Sequence, residues 1–141
     1  AFIEHYTPKL EAPFRAAYRD FNLAKLRFTQ GDYRQAKQLF TQVEYDDIFF
    51  NLSAKMMLLK IYYEQEEMPA LEALLDSFSR YLQRKSVIGY HKQVYQNILS
   101  MVRKRLKIVP GDTKALQDLA NLIQETQPLA ERKWLLEKLT V

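Results

Sequence analysis

The clearest pattern of apolar and polar positions in the chain lies between Phe21 and Val43. Apolar residues flank the segment 30–33 on both sides. Those before it are Leu23, Ala24, Leu26 and Phe28. From the last residue of the segment onward, apolar positions recur at the three- and four-residue steps of a buried helical face, at Tyr33, Ala36, Leu39, Phe40 and Val43. Gly31 lies where the first helix must end, because glycine accepts the left-handed conformation of a helix C-cap at little cost. Asp32 then offers a side-chain acceptor for the free amides of the second helix. The pattern predicts a helical hairpin.

Similar periodicity continues along the chain and predicts an all-α protein of about seven helices. Only three Gly and five Pro occur in 141 residues, which leaves little room for the turns of an all-β fold. Short connections between successive helices imply antiparallel neighbours. The expected helices run from about Lys9 or Pro13 to Gln30, Asp32 to Tyr45, Ile48 to Gln65, Met68 to Leu82, Ser86 to Leu106, Thr113 to Glu125 and Pro128 to Leu139.

An internal offset of 35 residues relates the first two predicted hairpins. It aligns Leu23 with Leu58, Ala24 with Leu59, Lys25 with Lys60, Phe28 with Tyr63, Tyr33 with Met68, Ala36 with Leu71 and Phe40 with Leu75, although Glu66 replaces the turn glycine. The predicted units span residues 14–46, 48–83 and 86–126, the third without a fixed register, and a capping helix follows at 128–140. Trp134 is expected to seal the open end of the stack, because a terminal repeat needs a cap.

Period, hairpin and core residues together resemble the tetratricopeptide repeat (TPR) family. The resemblance is carried by Leu23, Ala24, Gly31, Tyr33, Ala36 and Phe40, whereas Asp20, Arg27 and Val43 stand where the family favours Trp, Tyr and Ala. It is good over residues 17–50, moderate to residue 85 and only architectural beyond. It implies one all-α domain, an αα-hairpin repeat stack (superhelix), that acts as a non-enzymatic scaffold. Such a domain holds a peptide or a partner protein in a concave groove lined by the first helix of each repeat.

The same resemblance implies which side chains face that groove. They are Tyr18, Phe21, Lys25, Phe28 and Thr29 in the predicted repeat 14–46, and Ser53, Met56, Lys60 and Tyr63 in the predicted repeat 48–83. Lys25 and Lys60 would stack at equivalent positions, and this basic ladder suits a carboxylate or an acidic peptide. The alternative is that the aromatic residues pack against a neighbouring repeat and the lysines are only solvated. Phe21 and Met57 occupy places where the family's carboxylate clamp needs Lys and Asn, so chaperone-tail binding is not expected.

The formal net charge of the whole chain is +4, and it is unevenly distributed between the two halves. Residues 1–70 hold nine basic and ten acidic residues, whereas residues 71–141 hold twelve and seven. No acidic residue lies between Asp76 and Asp112, an interval that contains Arg80, Arg84, Lys85, Lys92, Arg103, Lys104, Arg105 and Lys107. With Tyr81, Tyr90 and Tyr95 available for stacking, this basic segment suggests an alternative function, the binding of nucleic acid or of an acidic ligand. However, cations in the last turns of a helix also complement its dipole, and eight bases cannot share one face.

Patterns of catalytic chemistry are absent from the sequence. His5 and His91 are isolated, and there is no Gly-rich phosphate loop, nucleophile elbow or HExxH pair, so we expect no enzyme, no cofactor and no metal. The chain has no cysteine, no signal peptide and no apolar stretch of membrane-spanning length, which favours a cytoplasmic protein without membrane insertion. It opens with Ala1, so either an initiator Met was removed or the sequence is part of a longer protein.

Overall fold

A computed structural model describes residues 12–42, 48–84 and 89–139, with side chains from residue 19 to 40 in the first of these ranges. Within them the chain is helical and contains no strand, which confirms the predicted all-α class. The helices are α1 (Ala12–Thr29), α2 (Tyr33–Gln42), α3 (Ile48–Glu64), α4 (Met68–Arg84), α5 (Gly89–Leu106), α6 (Thr113–Glu125) and α7 (Arg132–Glu137). The described part divides into two compact units between Leu74 and Leu75, a point that lies inside α4.

The core of the first unit is built where α1, α2 and α3 pack together. Its buried residues are Phe21, Ala24, Ala36, Phe40, Ala54, Leu58 and Ile61. Phe21 stacks on Phe50 with ring centroids 4.9 Å apart and meets Phe40 edge-on at 6.0 Å. Ala24 on α1 and Ala36 on α2 are fully buried and belong to the same core cluster. The small alanines and the larger phenylalanines together fill the core of this unit.

Two turns in this first unit have the same hydrogen bonds, and corresponding atoms are 35 residues apart. At the end of α1, the amides of Gln30, Gly31 and Asp32 donate to the carbonyls of Leu26, Phe28 and Arg27 over 3.0, 3.0 and 2.9 Å. At the end of α3, the amides of Gln65, Glu66 and Glu67 donate to the carbonyls of Ile61, Tyr63 and Tyr62 over 2.9, 3.2 and 2.9 Å. Both turns are Schellman motifs, which satisfy carbonyls that a helix end otherwise leaves unpaired.

The motif requires a residue with positive φ at its turn, and the two turns supply it differently. Gly31 has φ 79°, which glycine adopts freely, whereas Glu66 has φ 55° despite its side chain. A non-glycine residue in this left-handed region costs roughly 1 kcal/mol. The second turn therefore has the same hydrogen bonds as the first, although Glu66 stands in place of the glycine.

The second unit contains a related turn before α6. Gly111 has φ 87°, and Asp112 accepts a hydrogen bond from the amide of Ala115 at its Oδ1 (3.1 Å), as Asp32 does from the amide of Gln35 (3.2 Å). The predicted bounds of α6 are confirmed, but α5 ends at Leu106, so six residues connect α5 to α6 where three connect α1 to α2. The ends of α3 and α5, Glu64 and Leu106, are already 42 residues apart, and the longer connection raises the difference to 45 at the starts of α4 and α6, so an offset of 35 does not extend into the third hairpin.

The predicted start of the last helix at Pro128 is wrong. The residues from Thr126 to Glu131 are not helical, and α7 begins at Arg132. Thr126, the C-cap of α6, has extended backbone angles (φ −73°, ψ 128°), so the helical path ends there. Gln127, the residue before Pro128, is in turn disfavoured in the α region. The Arg132 guanidinium then donates to the carbonyls of Ile123 (3.3 Å), Gln124 (3.0 Å) and Thr126 (3.0 Å), which closes the end of α6.

Burial near the C-terminus also differs from expectation. Trp134, predicted to seal the end of the stack, is only partly buried, and the ammonium of Lys138 lies 5.8 Å from the centroid of its ring. The buried residues there are Leu135 and Leu139. Neighbouring positions on an α-helix differ in direction by about 100°, so when Leu135 points into the core the adjacent Trp134 points partly towards solvent.

Backbone strain at the two Schellman turns can be measured by substitution. No atom lies within 4 Å of a Cβ added at Gly31, so Gly31→Ala changes the backbone preference alone and should lower the free energy of unfolding by about 1 kcal/mol. Glu66→Gly should raise it by up to about 1 kcal/mol, because it removes the same strain. Gly89→Ala is the matched control, since its added Cβ also meets no atom and Gly89 has no left-handed φ. Equal effects of Gly31→Ala and Gly89→Ala in chemical denaturation would contradict the explanation.

The guanidinium of Arg132 should matter for stability more than its position near the C-terminus suggests. Arg132→Ala leaves three carbonyls without their donor, and we expect a loss of about 1–3 kcal/mol in the free energy of unfolding. Arg132→Lys should recover only part of it, because one ammonium cannot reproduce the fork of a guanidinium. Lys133→Ala, at the exposed neighbouring position, should stay within about 0.5 kcal/mol of the wild type in the same denaturation experiment.

Candidate partner-binding surfaces

Two of the residues that were predicted to line the groove are buried. Phe21 is 6% exposed and Met56 is 5% exposed, so neither can be contacted by a partner. Phe21 is buried because its ring is held between Phe40 and Phe50, as the core of this unit requires. The expectation that these two side chains line a groove is corrected, and the alternative, that aromatic residues of this set pack inside the protein, holds for Phe21.

The other predicted residues of α1 lie at or near the surface. Lys25 is exposed, and its ammonium lies 5.7 Å from the centroid of the Phe21 ring, within the range of a cation–π contact. Thr29 is exposed too, but its hydroxyl already donates to the carbonyl of Lys25 at 2.9 Å. Phe28 is half-buried against Tyr33, with ring centroids 5.3 Å apart. The side chain of Tyr18 lies outside the described residues.

The predicted residues of α3 are half-buried. Ser53, Lys60 and Tyr63 each keep part of their surface exposed, and α3 packs against α1 in the first unit. Six residues of the predicted set therefore keep exposed area: Lys25, Phe28 and Thr29 on α1, and Ser53, Lys60 and Tyr63 on α3. We refer to these six residues together as the α1–α3 surface.

An ion pair that sequence reasoning missed connects α2 to the turn before α4. The ammonium of Lys37 lies 2.9 Å from the carboxylate of Glu67 and 6.0 Å from the centroid of the Tyr62 ring. The two charged groups are only 28% and 35% exposed, so the pair is partly shielded from solvent. Glu67 is the residue 35 positions after Asp32, and in the described structure it receives a cation from the preceding hairpin.

The bases of the predicted basic segment differ in their exposure and in their partners. Arg80 and Arg84 are exposed, Lys92 is half-buried, and Lys85 lies outside the described residues. The guanidinium of Arg103 pairs with Asp76 at 2.9 Å, and the Nε of Arg105 donates to the carbonyl of Lys138 at 3.2 Å. Two of the eight bases therefore already contact neighbouring elements of the second unit.

Three of these bases do line one concavity. Arg103, Lys104 and Lys107 surround a space of about 370 Å³ together with Ser79, Gln96, Leu99 and Ser100, and we call it the α4–α5 groove. The two helices meet here through the Arg103–Asp76 pair and through Phe78 and Tyr95, whose ring centroids are 5.7 Å apart. The sequence contained a signal for this groove that was not used, since its α5 residues recur at steps of three and four from Gln96 to Lys104 and Lys107 continues the same spacing.

Tyr95, which was predicted to be available for stacking on bases, is half-buried beside Phe78. Burial raises the pKa of its phenol above the ordinary value of 10.0, and the negative charge of Glu131 raises it further. The folded protein therefore holds this proton more tightly than the unfolded chain does.

Neither a metal centre nor a membrane span is found in the part of the chain that the structure describes. No three His, Asp or Glu side chains of that part come together to hold an ion. None of its helices is both long and apolar enough to cross a membrane. Comparisons with protein-family models, with curated proteins and with solved structures find no match to this chain.

The titration of Tyr95 tests the geometry of the second unit. Because its folded-state pKa is raised, the stabilisation linked to this group is complete below pH 10.0 and is lost as the pH rises through the folded-state pKa. Glu131→Gln should lower that pKa while leaving it above 10.0, since burial is the larger cause. Ultraviolet absorbance of tyrosinate, with Tyr95→Phe to identify the transition, measures it. An unchanged pKa in Glu131→Gln would show that Glu131 does not act on this phenol.

Proposed function

We propose that this chain is a TPR-like αα-hairpin repeat domain that binds a protein or peptide without catalysing a reaction. The observation that carries the proposal is the pair of Schellman turns with identical hydrogen bonds 35 residues apart. Thirty-five residues is close to the 34-residue period of this repeat class. Helices of the first hairpin also end and begin at positions equivalent to those of the second: Thr29 and Glu64, then Tyr33 and Met68.

Packing within the first unit supports the same interpretation. In a stack of helical hairpins, each hairpin contacts the next one, and the first helices lie side by side. Here α1 contacts α3, and Lys37 of α2 reaches Glu67 at the turn of the second hairpin. The helix contact and the ion pair therefore both join the first hairpin to the second, as a stack of repeats requires.

The α1–α3 surface is the proposed binding site for the partner. Lys25 and Lys60 supply positive charge, and the half-buried rings of Phe28 and Tyr63 supply apolar area that a peptide side chain can cover. An extended peptide with acidic side chains has the complementary chemistry, because charge-assisted hydrogen bonds to lysine fix its carboxylates.

A second candidate function is favoured by one observation, the three basic side chains around the α4–α5 groove. They could bind an acidic ligand, as the charge asymmetry of the sequence suggests. Nucleic acid is the less favoured ligand, because Arg103 and Arg105 are engaged within the protein and the remaining bases are scattered.

Fluorescence anisotropy with fluorescein-labelled peptides of defined charge tests the α1–α3 surface. We expect the acidic peptides of a random-sequence set to bind more tightly than neutral or basic ones, and Lys25→Glu combined with Lys60→Glu to weaken them by about ten-fold or more. The matched control is Arg34→Glu combined with Lys114→Glu, two exposed positions outside both surfaces that change the net charge equally. Circular dichroism checks that both variants stay folded. Binding that is independent of peptide charge, or equally reduced in the two variants, would overturn the assignment.

A further inference from the structure

We propose that the α4–α5 groove is a binding site for a phosphorylated serine or threonine side chain of a partner protein. The inference extends the proposed function by giving the domain a second, chemically distinct contact. It rests on that function only in taking the ligand to be part of a protein. The groove and its charges belong to the second unit alone and share no residue with the α1–α3 surface.

The shape of the groove is set by the two helices that form it. Residues 96, 99, 100, 103 and 104 lie on one stripe of α5, Lys107 follows directly after the end of this helix, and Ser79 lines the groove from α4. Asp76 lies one turn before Ser79 and is bonded to Arg103, so the pair joins the two helices at this groove. A volume of about 370 Å³ lies at the small end of the range for ligand pockets, and a single phosphorylated side chain fits within it.

The charge of the groove matches a phosphate monoester. Asp76 offsets the charge of Arg103, and neither Lys104 nor Lys107 forms an ion pair with any acidic residue that the structure describes. Two positive charges therefore remain. A phosphorylated serine carries about −1.5 to −2 charges near neutral pH, whereas a carboxylate carries only one.

The hydrogen-bond donors of the groove point to the same ligand. Besides its three cations, the groove is lined by Ser79, Ser100 and Gln96, which carry hydroxyl and amide donors. Guanidinium, ammonium, hydroxyl and amide groups all donate to oxygen, and a phosphate monoester presents three strong acceptor oxygens to them where a carboxylate presents two. The dianion can therefore engage more of the lining residues at once.

A phosphodiester strand fits this groove less well. Nucleic-acid grooves combine a long basic track with aromatic side chains on which bases stack, and no aromatic residue lines the α4–α5 groove. Its cations are confined to a segment of five residues, 103–107, at the C-terminal end of α5 and directly after it. Such a short cluster suits one compact dianion.

The test uses a synthetic peptide of about twelve residues with phosphoserine, serine or glutamate at its centre, and the complete 141-residue chain. Fluorescence anisotropy should show that the phosphoserine peptide binds about ten-fold more tightly than the other two. Its affinity should fall as the pH drops below about 6, where the phosphate takes up a proton, while affinity for the glutamate peptide stays level. Nuclear magnetic resonance shifts on addition of the peptide should centre on residues 96–107.

Two variants with equal changes in net charge decide whether the groove is responsible. Lys104→Glu with Lys107→Glu should abolish the preference for phosphoserine, whereas Lys114→Glu with Lys133→Glu, at exposed positions outside the groove, should retain it. Ser100→Ala gives a milder test, with a smaller loss of the preference and no change in charge. No preference for phosphoserine, equal loss in both charge variants, or tighter binding of a single-stranded oligonucleotide would overturn the inference.

The outcomes also separate this inference from the proposed function. If acidic peptides bind through Lys25 and Lys60 but phosphoserine brings no gain, the groove assignment fails and the α1–α3 surface stands. If phosphoserine binding depends on Lys104 and Lys107 but acidic peptides bind equally well to the wild type and to the variant with Lys25→Glu and Lys60→Glu, the groove stands and the α1–α3 surface fails.

Discussion

Reversing the chain between two packed helices is the constraint on which the first unit depends. Three residues separate α1 from α2, and three separate α3 from α4. Within that length the backbone must turn back and still pair the carbonyls at the end of the first helix, which the Schellman motif achieves with one left-handed residue. The tight turn brings α1 back against α2, and both helices contribute to the buried core that contains Phe21, Ala24 and Ala36.

Much of this architecture could be predicted because local rules and packing agree. The apolar steps after Gly31, the caps at Asp32 and Asp112 and the bounds of α6 follow from periodicity and from the chemistry of helix ends. The second turn was harder, since Glu66 gives no sign in the sequence that it adopts a positive φ. Only the offset of 35 residues pointed to it. The start of α7 failed for a different reason: the contacts of Arg132 with the end of α6 are tertiary, and no local pattern encodes them.

The candidate surfaces were less predictable than the helices. Periodicity shows which face of a helix is apolar, but it does not separate an aromatic residue in the core from one at the edge of a groove. Phe21 and Met56 were assigned to the surface and are buried, whereas Lys25 and Thr29 on the same helix as Phe21 are exposed. The basic segment was likewise found by composition, but its division into engaged and groove-lining side chains depends on Asp76 and on the carbonyl of Lys138, both distant in sequence. Residue counts report charge and leave its arrangement undetermined.

The ion pair between Arg103 and Asp76 has a consequence that concerns entropy. Both side chains are well exposed, at 40% and 66%, so the pair adds little to the stability of the fold. It does restrict the rotamers of a long side chain before any ligand arrives. A guanidinium that is already held in place loses less conformational freedom when an anion binds beside it, while its remaining N–H donors stay available. Asp76 therefore lowers the local charge and at the same time makes Arg103 a more rigid donor.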